Sequence, residues 1–303
     1  MTFAQMTTVK AKTQTHSIWL YSFPLISVVI WAMNMVVTRY AANVIEPVSI
    51  SFWRLLIALI VMSPFVLTAV LQQRQQVWAH IGKLTVLASL AMLIYQCLSY
   101  WAGHSTTATN MSIINAFIPI FTLLVSLIFL AEKPNKYGIL GSILSISGLL
   151  FLISQGQPSQ LLQGGLHFGD GLMIIAVISY ALYGVLLRAW QLPLSLGVSL
   201  FAQTLLALLL HLPLLLIFGW QMLDQHNVAS VMYAALLPSI VAPFMWMKAM
   251  QTLGPNRSSM FTNLGPVLTA VVAYLYLGEQ WMYYHTLGTI MAIAGVMLAQ
   301  KKN

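Results

Sequence analysis

The segment 259–279, SMFTNLGPVLTAVVAYLYLGE, decides the fold once it is laid on 112–132, SIINAFIPIFTLLVSLIFLAE. A shift of 147 positions superposes the two without a gap. Ser112 meets Ser259, Pro119 meets Pro266, Thr122 meets Thr269 and Glu132 meets Glu279. Carried downstream, the same shift brings Tyr137 onto Tyr284, Gly141 onto Gly288 and Gly148 onto Gly295. Apolar coincidences between apolar segments mean little, but Pro, Glu, Tyr and Gly recurring at one offset indicate an internal duplication. Upstream, a shift of 149 pairs Trp31 with Tyr180, Asn34 with Tyr183 and Arg39 with Arg188.

The rest of the chain has the composition of a membrane protein. Hydrophobic residues make up 59% of the 303 and charged residues only 6%, with a mean hydropathy of +0.85. A soluble domain carries about 25% charged residues, so this chain cannot cover a water-facing surface. Spanning helices need about 20 apolar residues. Ten segments qualify: 18–38, 48–70, 84–104, 110–131, 136–154, 170–189, 195–218, 229–250, 257–277 and 283–299. Loops are expected at 43–47, 72–83, 132–135, 155–170 and 219–227, where turn-forming and charged residues gather. Lys10 and Lys12 before an apolar run imitate a signal peptide, but nine further apolar segments follow, so 17–37 reads as a retained span.

Net charge is +8, yet the Lys and Arg residues are scattered singly or in pairs, and no basic run suits nucleic acid. Their placement sets topology instead. With the N-terminus inside, eleven Lys/Arg fall on the cytoplasmic side and two, Arg39 and Arg54, on the other. Both termini are therefore expected in the cytoplasm, in the cell's inner membrane. Five spans per half is an odd number, so the second half enters the membrane inverted. The expected fold is an all-α bundle of ten helices in two inverted five-helix repeats, 17–155 and 169–299, around a central cavity. A linker, 156–168, joins them, and 1–16 and 300–303 are cytoplasmic tails.

The run Ala249-Met-Gln-Thr-Leu-Gly-Pro-Asn-Arg-Ser-Ser259, followed by Leu264-Gly-Pro-Val-Leu-Thr-Ala and Tyr276-Leu-Gly-Glu279, resembles the EamA branch of the drug/metabolite transporter superfamily. So do Ser105-Thr-Thr-Ala-Thr, Ile118-Pro119 and Leu130-Ala-Glu132 in the first half, together with Trp31, Pro47 and Arg54. The resemblance covers nearly the whole chain, and its specificity rests on the joint spacing of short motifs. One departure is Ala131 where the second half has Gly278. The resemblance implies ten helices, a cavity lined by spans 1, 3, 4, 6, 8 and 9, and passage of small metabolites such as amino acids or drug-like compounds.

Candidate substrate-binding residues are the polar and aromatic side chains on those spans. Trp31 and Asn34 share a face of span 1 at a spacing of three, and Tyr180 and Tyr183 repeat that arrangement in span 6. Span 3 supplies Tyr95, Ser99 and Tyr100, span 4 Asn115, span 8 Trp246 and span 9 Asn263. Buried amides need partners, and a wet cavity or an interhelical hydrogen bond can supply them. Such a cavity suits zwitterions, aromatic compounds or, through cation–π contact, organic cations.

Charged and titratable candidates are fewer. Arg54 lies a turn or two inside span 2, and two readings stand: pairing with Glu46 or binding a substrate carboxylate. Lys248 is the other cavity-side cation. Glu132 and Glu279 sit at span junctions, where a carboxylate favours the positive end of the next helix, so capping is preferred over proton carriage. His104 and His211 are the intramembrane residues able to carry a proton, although a lone membrane histidine commonly bonds a neighbouring helix. With no carboxylate in the middle of any span, a facilitator is favoured over a coupled pump. Pro119 and Pro266 are expected to kink spans 4 and 9 mid-helix.

The expected function is export or facilitated passage of amino acids or related zwitterionic and aromatic compounds by alternating access. A proton-coupled multidrug or organic-cation exporter is the alternative. An intramembrane enzyme is remote, since neither His-Glu-x-x-His nor Gly-x-Ser-x-Gly occurs and no carboxylate pair is buried. No cofactor and no metal are expected. The partners are a small-molecule substrate and membrane lipid, with the chain a monomer or weak homodimer. Cys97 is the only cysteine, so no intramolecular disulfide forms.

Overall fold

The structure, a computed structural model, describes residues 18–41, 44–103, 105, 111, 114–130, 135–157, 159, 168–268, 271 and 282–301. These residues form helices and no strands. After a 3-10 turn at Ile18–Tyr21, α1 runs Ser22–Ala41, α2 Pro47–Gln72, α3 Arg74–Ala79 and α4 Ile81–Ala102. Then come α5 at Ile118–Phe129, α6 at Lys136–Ile153, α7 at Phe168–Trp190 and α8 at Leu196–Phe218. Next are α9 at Val228–Leu253, α10 at Pro255–Ser259 and α11 at Tyr283–Ala299. Among the described residues, α2, α4, α7, α8 and α9 are long and apolar enough to cross a membrane. The outer faces of α2 and α8 show Phe65, Leu216 and Ile217 largely exposed, a surface that lipid covers and water would not.

Two expectations need correcting. Residues 72–83, expected as a loop, are almost wholly helical, because Gln72-Gln-Arg-Gln-Gln76 consists of good helix formers. Pro119 and Pro266 do not kink continuous helices. Each is the second residue of a new helical piece, after a turn at 116–117 and after the 3-10 segment Met260–Leu264 respectively. A proline lacks the N–H that the first turn leaves unbonded anyway, so a helix start accepts it. Gly254 makes the other break in this region, at φ 84°, with Pro255 opening α10.

Packing follows sequence offset. The closest pair is α6 with α11, where glycines let the backbones touch. A Cβ added at Gly141 would lie 2.5 Å from the Gly295 carbonyl oxygen, and one at Gly148 2.8 Å from that of Gly288. Helix α2 packs along α8, and each carries one internal proline, Pro64 and Pro213, related by the shift of 149. Helix α1 lies against α9, and α7 against α4 and α5.

Two of these rods are interrupted at matching places. Helix α4 has a π-helical turn at Ser89–Ile94 and α9 another at Leu237–Val241. A shift of 147 carries 89–94 onto 236–241, which contains the second turn whole. In α9 the cause is local. Pro238 has no N–H to give the Ala234 carbonyl, and the Ser239 hydroxyl supplies the donor instead at 2.7 Å. In α4 the Leu90 carbonyl accepts from Ser179 Oγ of α7 at 3.1 Å.

Candidate functional site

Four helices converge on a knot of aromatic rings. Tyr180 of α7 is at its centre, meeting Trp31 of α1 edge-on at 6.0 Å, Tyr95 of α4 at 4.8 Å and Trp246 of α9 at 6.1 Å. Tyr183 adds a ring 5.8 Å from Tyr180, and Trp31 also meets Trp246 at 5.1 Å. Offset and edge-to-face contacts of this kind are each worth about 0.5–1.5 kcal/mol beyond burial. Trp31 and Tyr180 are the pair related by the shift of 149. Trp246 is 1% exposed, and its indole Nε1 has no hydrogen-bond partner among the described residues. Buried donors are rarely left so.

Several expected residues border this knot. The Tyr95 hydroxyl donates to Asn115 Oδ1 at 3.4 Å, and Asn115 is half-buried. Ser99 Oγ donates back to the Tyr95 carbonyl at 2.6 Å, and Asn34 is half-buried three residues from Trp31. Asn263 instead donates from Nδ2 to Ser145 Oγ of α6 at 3.0 Å, while its Oδ1 has no partner among the described residues. Lys248 is half-buried on α9. It lies nine residues beyond Ser239, about 13 Å along the helix. His104, Glu132 and Glu279 lie outside the described residues, as do Ser112, Thr269 and the departure at Ala131 and Gly278.

His211 is buried in α8 and already occupied. Its Nδ1 donates to the Ala207 carbonyl at 2.7 Å, which leaves Nε2 to face Cys97 Sγ of α4 at 3.6 Å. The ring bonds its own helix and a neighbouring one, as the membrane-histidine rule anticipates.

Arg54 corrects the expected pairing with Glu46. Glu46 is exposed at the cap of α2, while Arg54 is 4% exposed and projects from the buried face. Its Nε donates to Ser239 Oγ at 2.8 Å and its Nη1 to Tyr100 Oη at 3.2 Å. An arginine at mid-membrane depth costs about 2.5–3.5 kcal/mol. Two hydrogen bonds from a charged donor contribute about 1.5–3 kcal/mol each, which offsets that cost while leaving the charge without a counter-ion among the described residues. Ser239 escaped sequence reasoning because the repeat offset sets it against Met92, which has no polar function.

Two glutamines were also missed. Gln221, after α8, accepts from the Glu46 backbone N–H at 2.8 Å and donates to the Val44 carbonyl at 3.0 Å. Its own backbone receives Trp53 Nε1 at 2.9 Å and donates to Ser49 Oγ at 2.9 Å. At the other end of the α2–α8 pair, Gln73 accepts from the Ser195 backbone N–H at 3.1 Å.

Against known proteins, the chain matches the model of the EamA-like transporter family twice, over residues 18–154 and 167–300. A transporter of Archaeoglobus fulgidus is 26% identical over 91% of this chain and 96% of its own length. A protein of Streptantibioticus cattleyicolor described as a "probable terminal-alkyne amino-acid exporter" is 25% identical over 92% of each. A solved crystal structure superposes with a TM-score of 0.73, at 14% identity, over 93% of this chain and 96% of the other. That last likeness concerns the fold alone.

Proposed function

Because this chain belongs to the EamA-like transporter family, and is thus a multi-pass membrane transporter of small molecules rather than an enzyme, we propose that it exports amino acids or related zwitterionic and aromatic metabolites by alternating access. The observation that carries this reading is the ring knot, where α1 and α4 meet α7 and α9 around Tyr180. The exporter from S. cattleyicolor, which acts on an amino acid by its printed name, agrees with it.

The proposed frame is ten spans in two inverted repeats, 17–155 and 169–299, with both termini on the cytoplasmic side of the inner membrane. Several features support that frame. The α1–α9 contact mirrors α7–α4, α2 pairs with α8 and α6 with α11, and the π turns fall at one offset. The binding residues proposed are Trp31, Asn34, Tyr95, Tyr100, Asn115, Tyr180, Tyr183 and Trp246, with Ser99 and Asn263 shaping their helices. The chain works as a monomer or weak homodimer.

Organic cations are the competing cargo, and the five clustered rings are what favours them. Metabolite profiling of the medium of overexpressing cells, followed by flux of the emerging compounds in proteoliposomes, separates the two. Amino-acid flux that follows its own gradient supports the proposal. Flux confined to organic cations, or dependent on a pH gradient, rejects it in favour of the exporter alternative.

A further inference from the structure

We propose that Arg54, Tyr100 and Ser239 form a carboxylate-binding subsite, so that the cargo is an anion-headed molecule whose apolar or aromatic tail reaches the ring knot. This deepens the transport reading and rests on it.

The local balance of donors and acceptors is the starting point. A guanidinium presents five N–H groups, and among the described residues two of them have acceptors, Ser239 Oγ and Tyr100 Oη. Neither acceptor is charged, and no carboxylate lies within ion-pairing distance among the described residues. Ser239 accepts because its own proton is committed to the Ala234 carbonyl, which Pro238 leaves free. Tyr100, buried beside Arg54, has no acceptor for its hydroxyl proton among the described residues. Ser51, three residues before Arg54 on α2, has a buried hydroxyl that also lacks a partner among the described residues. Among the described residues, positive charge and spare donors are gathered here without a matching anion. Buried charges are ordinarily paired, and the planar fork of arginine fits a carboxylate through two parallel bonds.

Position fixes the rest of the ligand. Ser239 precedes Trp246 by seven residues on α9, and Tyr95 precedes Tyr100 by five on α4. At about 1.5 Å per residue the subsite stands about 8–10 Å from the rings. A carboxylate carrying a tail of that reach would touch both, and Trp246 Nε1 would meet any polar atom along it.

The test uses purified full-length protein in phosphatidylcholine micelles and two probes of one shape, 3-phenylpropanoate and its neutral amide. Binding is read by isothermal titration calorimetry. The expected result is that the carboxylate binds about tenfold tighter or more and that Arg54→Gln removes the difference, with Arg54→Lys retaining part of it. Equal binding of the two probes by the wild type, or binding of neither, overturns the proposal without needing any variant. A preference that survives in Arg54→Gln, with only thermal stability lowered, assigns Arg54 to structure and overturns it too. Competition by added phosphatidylglycerol would give the subsite to a lipid headgroup, with the same consequence. Loss of all solute flux in proteoliposomes, by contrast, counts against the transport reading itself.

Discussion

Glu46 and Gln221 stand 175 positions apart, and the backbone N–H of the first donates to the side-chain carbonyl of the second at 2.8 Å. Ser195 and Gln73 make the same bond at the opposite end of the α2–α8 pair, at 3.1 Å. A shift of 149 carries Glu46 onto Ser195 and Gln73 onto Met222, next to Gln221. Each amide thus closes one end of a pair of long helices that also pack along their length.

A pair tied at both ends at once moves as one body. A disulfide across Gln73→Cys and Ser195→Cys is therefore expected to leave substrate flux unchanged, measured in proteoliposomes before and after reduction. Flux restored only by the reductant would show that α2 and α8 part during the cycle.

The glycine seam sets a second expectation. At Gly141 a new methyl meets the backbone of Gly295 and Ala299, which cannot swing aside. Gly141→Ala should lower stability by about 1–3 kcal/mol through overpacking. Gly138→Ala, where nothing among the described residues lies within 4 Å, should be neutral or gain up to about 1 kcal/mol from helix propensity. Thermal melts of the purified variants check both, and equal melting of the two variants would contradict the seam.

Trp246 separates packing from recognition. Trp246→Phe keeps a ring in the knot and removes an N–H that bonds nothing among the described residues. Stability should change by about 1.5 kcal/mol or less, while cargo affinity falls or shifts toward less polar compounds. Unaltered affinity and selectivity would mean that the indole only fills space.

Cys97 is buried against His211, so the wild-type chain should resist water-soluble maleimides. Asn34→Cys and Asn115→Cys, both half-buried positions beside the knot, should react, and cargo should slow them. Uniform protection of the two variants would remove the wet path on which the proposed function depends.

Much of this molecule can be read from its sequence for plain physical reasons. Apolar length marks where helices run, and 283–299 is reproduced residue for residue by α11. Trp31, Tyr95, Tyr180 and Trp246, singled out as aromatic residues of spans that would share one cavity, do meet. The π turns were not legible, since they depend on which carbonyls lose their donors and on what compensates. The partners of Arg54 were hidden for a related reason. Ser239 is 185 positions away, and the closer, oppositely charged Glu46 made the more obvious pairing although its helix-end position faces outward. Gln73 and Gln221 looked like ordinary polar loop residues, and only the approach of α2 and α8 gives their amides work.

The glycine seam also bears on how the chain could be assembled. Helices α6 and α11 belong to different halves, and backbone contact at Gly141–Gly295 and Gly148–Gly288 joins them without any covalent link. A gene cut within 156–168, with both fragments translated from one message, should yield two polypeptides that find each other in the bilayer and copurify.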